Sequence, residues 1–246
     1  MTPLDDLFST DESRAEARLE KVVTLNPADI SDFPNHPFKV KQDEAMAEML
    51  DSVKQYGVLV PALVRPKADG GYEMVAGHRR KCAATLAGIT EMPCIVRNLT
   101  DDEATIIMVD SNLQREELLP SEKAFAYKMK LDAMKRQAGR PKENGGQIDP
   151  HLIRGKSRDI FAEEIGESAK QIQRYIRLTN LVPDLLNRVD NKTIAFNAAV
   201  KVSYLTEPEQ KMLCDAIERE ECTPNLKQAR RLKQFSQDGK LDENVI

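Results

Sequence analysis

The stretch Met74-Val75-Ala76-Gly77-His78-Arg79-Arg80-Lys81-Cys82-Ala83 constrains this chain more than any other. An Asp69-Gly70-Gly71 turn precedes β-favouring residues over 72–76, which predicts a short buried strand. Gly77 breaks that strand, and residues 79–87 predict a helix that Gly88 stops. A chain that passes from strand to helix on one glycine leaves the first helical N–H groups without intrahelical partners, at the positive end of the helix dipole. Such an end favours phosphate oxygens, and Arg79 and Arg80 add forked, charge-assisted donors. The stretch therefore predicts a phosphate or polyphosphate cradle made of Gly77, His78, Arg79 and Arg80. The plainer alternative is an ordinary turn with solvated arginines.

Around this turn the pattern is that of a small α/β domain. Strands are predicted over 22–25, 62–65 and 94–96. Met46, Met49, Leu50 and Val53 recur at helical spacing over 43–56, and Gly57 closes that helix. Thr100, with Glu103 as its capping-box partner, opens a helix reaching about residue 113. At its end, Ser111-Asn112-Leu113-Gln114-Arg115-Glu116-Glu117-Leu118 gathers hydroxyl, amide and guanidinium groups. Ser111 and Asn112 suit a hydrated magnesium ion, and Arg115 suits a phosphate or a carboxylate; a polar helix end is the bland reading. Pro120 then starts another helix, with proline well placed in the first turn.

Glycine, proline and basic residues over 137–157 predict a linker. Beyond it, Phe161, Ala162 and Ile165 share one helix face, Gly166 makes a turn, and Ser168 caps a second helix with Ile172, Tyr175 and Ile176 facing inward. This spacing predicts a helix-turn-helix. Its second helix offers Ser168, Lys170, Gln171, Gln173, Arg174 and Arg177, residue types that read base edges and hold phosphates. Between Lys135 and Arg177 ten Lys and Arg stand against six Asp and Glu, a surplus of four in a chain whose net charge is −4. Local basicity of this kind is what double-stranded DNA binding needs. Helices are predicted over 184–189, 194–205, 207–220 and 225–235, with a Thr206–Glu209 capping box.

Several classes are excluded or disfavoured. No apolar run is long enough to span a membrane and no signal-peptide pattern opens the chain, so a cytoplasmic protein without membrane attachment is expected. Four scattered cysteines without a Cys-x-x-Cys spacing and three unclustered histidines indicate neither a disulfide framework nor a zinc site. A phosphotransferase or nuclease would need a carboxylate cluster or a placed nucleophile, and none is evident.

The phosphate turn, the amide-rich helix end and the helix-turn-helix, in that order, resemble ParB-type (ParB/RepB/Spo0J-like) partition proteins over about residues 21–231. Gly77-His78-Arg79-Arg80 looks like the family's Gly-x-Arg-Arg box, residues 111–118 look like its Glu-Asn-x-Gln-Arg box, and Gly57-Val58-Leu59-Val60-Pro61 resembles the loop before its second strand. The resemblance implies an α+β protein, with a small sulfiredoxin-like α/β N-terminal domain followed by an all-α helix-turn-helix domain. In these terms residues 1–20 are a tail, 21–119 the nucleotide-binding domain, 120–136 a connecting helix, 137–157 the linker, 158–235 the DNA-binding domain and 236–246 a polar tail. It further implies CTP and Mg2+ as ligands, with Asn112 toward the metal, slow CTP hydrolysis, a palindromic centromere-like DNA site, a homodimer working as a clamp, and a ParA-type ATPase partner. Ser111 stands where the family often has a metal-binding glutamate. That departure supports an alternative, a ParB-like transcriptional regulator with a degenerate nucleotide pocket.

Overall fold

The computed structural model describes residues 21–115, 117–139 and 150–242, the side chains of 150–156 excepted. The tail expected over 1–20, residues 243–246 of the tail expected over 236–246, and the centre of the expected linker lie outside the described residues. The chain divides into two compact units, one ending at Thr100 and the other beginning at Asp101.

The first unit is built on a five-stranded sheet of β1 (Val22–Leu25), β2 (Ile30–Ser31), β3 (Ala62–Pro66), β4 (Tyr72–Ala76) and β5 (Met92–Val96), in the order β1-β5-β3-β4-β2. β1–β5 and β3–β4 are antiparallel, while β3–β5 and β2–β4 are parallel. Two helices, α1 (Glu44–Tyr56) and α2 (His78–Leu86), pack together, and Met46, Val53, Val64, Met74, Ala83, Ala84 and Met92 make up much of the shared core. Asp43 caps α1, its Oδ1 accepting from the Met46 N–H at 2.9 Å, and Gly57 ends it at φ +70°.

The second unit is helical throughout its described residues: α3 (Asp101–Leu113), α4 (Pro120–Gly139), α5 (Pro150–Ile165), α6 (Ala169–Arg177), α7 (Pro183–Asp190), α8 (Phe196–Val202), α9 (Glu207–Glu220) and α10 (Leu226–Gln237). Leu178, Leu185, Ile194, Ala198, Leu213 and Ala229 are among its core residues, and the Thr206–Glu209 capping box forms. Gln210, buried, ties three backbone groups: its amide donates to Asn180 O and Leu205 O, and its oxygen accepts from Val182 N–H.

The α+β architecture expected from the sequence is the one observed, with three differences in detail. The first compact unit ends at Thr100 rather than near residue 119, because α3 packs on α4 within the second unit. Both ends of the expected linker are helical: α4 runs on to Gly139 and α5 begins at Pro150, where proline suits a first turn. β2 carried no sequence signal; its two residues are held by parallel pairing with Tyr72 and Glu73.

Candidate functional site

In the first unit the strand-glycine-helix turn forms as the residues dictate. Gly77 sits at φ +114°, ψ 18°, between β4 and α2, and no side chain caps that helix end. A Cβ at 77 would stand 2.9 Å from the Ala62 Cβ, so glycine is required both by the backbone and by the contact. The four predicted cradle residues have different duties. Arg80 Nη1 donates to Val60 O at 2.7 Å and Pro61 O at 2.6 Å, and thereby holds the loop before β3. Burial lowers the Arg80 pKa from its ordinary value, though an arginine remains charged. His78 is buried and stacks on His36, ring centroids 3.9 Å apart. Arg79 reaches Asp43 Oδ1 from Nη2 at 3.2 Å, while its Nε is buried without a hydrogen-bond partner. Of the two guanidiniums, Arg79 is therefore the one with a buried donor still to be satisfied.

A cleft of about 440 Å³ flanks α2, lined by Asp32, His36, Phe38, His78, Lys81 and Cys82 among others. Lys81 Nζ pairs with Asp32 Oδ1 at 2.6 Å, and this bond holds the Asp32 carboxyl below its ordinary range.

Ser111, Asn112 and Arg115 lie in the second unit, at the end of α3. Ser111 Oγ donates to Met108 O at 2.9 Å, and the buried Asn112 amide donates to the same carbonyl at 2.8 Å. Arg115 lines a cleft of about 530 Å³ together with Lys123, Tyr127 and Lys130. Among the described residues no group of three His, Cys, Asp or Glu is placed to hold a metal ion. Magnesium prefers carboxylate and phosphate oxygens, and Asn112 offers one amide oxygen. These residues do not fit a protein-held magnesium ion.

The helix-turn-helix is formed by α5 and α6. Gly166 turns the chain at φ +66°, and Ser168 Oγ accepts from the Gln171 N–H at 3.1 Å. Fully buried Ile172 fills the angle between the helices, against a cluster of Phe161, Ala162, Tyr127 and Leu131. A row of rings runs from Phe161 through Tyr127 and Tyr175 to Phe196, with successive centroids 5.3, 5.5 and 4.7 Å apart. The Tyr127 hydroxyl donates to Glu167 Oε1 at 3.1 Å; burial, then that carboxylate, raises the tyrosine pKa.

On the outer side of α6, Lys170 and Gln173 are exposed. Arg174 is held rather than loose. Its Nη1 donates to Gln171 Oε1 at 2.8 Å, its Nη2 donates to Asn197 Oδ1, and its guanidinium lies 5.0 Å from the Phe196 ring. Arg177 turns inward, donating to Ser203 O at 2.9 Å and stacking 4.0 Å over Tyr204. Asn197 was not anticipated. Nothing local marks it, because its link to Arg174 spans 23 residues.

Residues 11–113 match the ParB N-terminal domain family. The chain is 34% identical over 191 residues to the chromosome-partitioning protein Spo0J of Thermus thermophilus, covering 78% of this chain and 62% of that protein. It is 41% identical over 176 residues to the stage 0 sporulation protein J of Bacillus subtilis, covering 72% of this chain and 55% of that protein. It thus spans less than two thirds of the length of these curated relatives. Among solved structures, that of a Pnob8-like ParB-N domain matches with a TM-score of 0.51 at 14% identity, covering 93% of this chain and 98% of that one, which shows a shared fold. No helix among the described residues is long and apolar enough to cross a membrane.

Proposed function

We propose a function from one premise: this chain belongs to the ParB-type, Spo0J-like partition-protein family. It is a sequence-specific DNA-binding partition protein that reads a palindromic duplex through α6 and takes CTP at the Gly77 turn. The observation that carries the DNA reading is Arg174, oriented by Gln171 and Asn197 on a helix that also exposes Lys170 and Gln173. An arginine pre-set in this way loses little side-chain freedom on meeting a guanine edge. Arg174→Ala is expected to weaken binding to the selected palindrome by about 1–3 kcal/mol and to relax preference at one position of each half-site. Equal affinity and equal preference, measured by fluorescence anisotropy on a panel of single-base variants, would show that α6 does not read the site.

The nucleotide reading rests on the uncapped start of α2 and the unsatisfied Nε of Arg79. A bound triphosphate would supply a differential affinity between two conformations, which is what a clamp needs in order to close. The chain's own contribution is to offer Arg79 as donor and to keep the loop before β3 in place through Arg80. Arg79→Ala therefore weakens CTP binding by roughly 10–150-fold, the loss of one charge-assisted hydrogen bond of about 1.5–3 kcal/mol. Arg80→Ala acts instead through the loop, lowering the melting temperature of the first unit. Calorimetric titration beside thermal unfolding separates the two; Arg79→Ala with unchanged CTP affinity would remove the phosphate assignment.

A homodimer, slow CTP hydrolysis and a ParA-type ATPase partner complete the proposal by family membership. Magnesium enters only as an ion carried on the triphosphate. One observation favours a second reading, a DNA-binding regulator that does not turn CTP over: Ser111 and Asn112 both spend donors on Met108 O. CTP turnover stimulated by the selected palindrome would decide against it.

A further inference from the structure

We propose that α10 is a second DNA-contacting element, with Arg230 and Lys201 holding a backbone phosphate that flanks the bases read by α6. The inference rests on the DNA-binding reading above. A cleft of about 340 Å³ brings together Lys170 and Arg174 of α6, Asn197 and Lys201 of α8, and Arg230 of α10. No carboxylate lines it. Lys170, Lys201 and Arg230 have no acidic partner among the described residues. In a chain with more Asp and Glu than Lys and Arg, three unpaired cations around one cleft are a local excess that needs a counter-charge.

The sequence of α10 points the same way. Leu226–Gln237 carries Lys227, Arg230, Arg231 and Lys233 and no acidic residue. Two of these cations turn to aromatic rings: Lys233 Nζ lies 3.7 Å from the Tyr204 centroid and Arg231 lies 5.9 Å from that of Phe235. Arg230 and Lys227 are exposed. Buried Ala229 and Leu232 fix the helix against the core, so Arg230 is carried on a rigid element. The ligand chemistry is a phosphodiester on the same duplex, because the cleft is continuous with Lys170 and Arg174. Contacts of this class position a protein on DNA without reading sequence.

The test uses the full chain and a duplex that the wild-type chain enriches from a random pool, beside a scrambled duplex of equal length. Lys201→Gln and Arg230→Gln should each lower the slope of log K against log salt by about one, and the double variant by about two. The ratio of selected to scrambled affinity should stay near its wild-type value. Lys211→Gln, an equal charge change on α9 outside the cleft, should leave the slope unchanged. Unchanged slopes for Lys201→Gln and Arg230→Gln would overturn the inference, as would a loss of sequence preference at constant slope. If no sequence is enriched at all, the DNA-binding reading itself fails, which is a separate result.

Discussion

Lys130→Ala is expected to destabilise the second unit by about 3 kcal/mol, the lower end of what removing one partner of a buried ion pair costs. The Lys130 side chain is only 4% exposed, yet its ammonium meets Asp110 of α3 and Glu164 of α5 at 2.6 Å each. It also lies 4.8 Å from the centre of the Phe161 ring. One cation on α4 thus joins two other helices, one of them the first helix of the helix-turn-helix. The two carboxylates are about half exposed, so water can reach them when the lysine is lost, and this keeps the cost at the lower end. For a unit of this size the change amounts to roughly 6–12 °C in melting temperature. Lys130→Met keeps most of the apolar stem and should cost less. Adding Asp110→Asn and Glu164→Gln to it removes the two like charges that the lysine had separated, and should recover much of the loss. Urea midpoints at constant m-value are the measurement. A midpoint for Lys130→Ala within error of wild type would mean that the triad is an exposed ion pair of negligible worth.

What the chain discloses before folding, and what it withholds, follows from the range of the forces involved. β4, α9 and the turn at Gly77 were legible because their signals lie within one window: β-favouring residues after a glycine turn, Thr206 three residues before Glu209, glycine between strand and helix. The residue types of both candidate sites were legible for the same reason. Their loyalties were not. Arg80 looked like the twin of Arg79, and only the packing of residues 60 and 61 against α2 gives one guanidinium to the protein's own carbonyls. His78 lies against the ring of His36, a contact that no local window announces. The start of α4 shows the same distance effect. Asp190 accepts from both the Ser121 N–H and its hydroxyl, a cap supplied from 69 residues away that no local motif announces. Glycine-rich composition over 137–157 was read as linker, whereas at both ends of that stretch helix propagation outweighs isolated breakers.

The other large effect belongs to Gly77→Ala. Two independent costs meet there. A φ of +114° is in the region that L residues rarely adopt, with a backbone cost of about 1–2 kcal/mol. The added methyl would also press on Ala62 at 2.9 Å and on the Arg80 guanidinium at 3.2 Å, and overpacking of this kind costs about 1–3 kcal/mol. Gly70 supplies the comparison: its φ is +92°, but a Cβ there meets nothing within 4 Å. Gly70→Ala should therefore show the backbone cost alone, and Gly77→Ala the sum, roughly 2–5 kcal/mol. Ala62→Gly in the Gly77→Ala background relieves the methyl contact and should return part of the difference, a coupling readable in a double-mutant cycle. The same strain bears on the site. Any shift that relieves it moves the first N–H groups of α2 and the Arg80 side chain, so CTP affinity should fall even at temperatures where Gly77→Ala remains folded, while Gly70→Ala leaves it unchanged. If Gly77→Ala costs no more than Gly70→Ala and binds CTP as wild type does, then the close approach of Gly77 to Ala62 is not what shapes the turn.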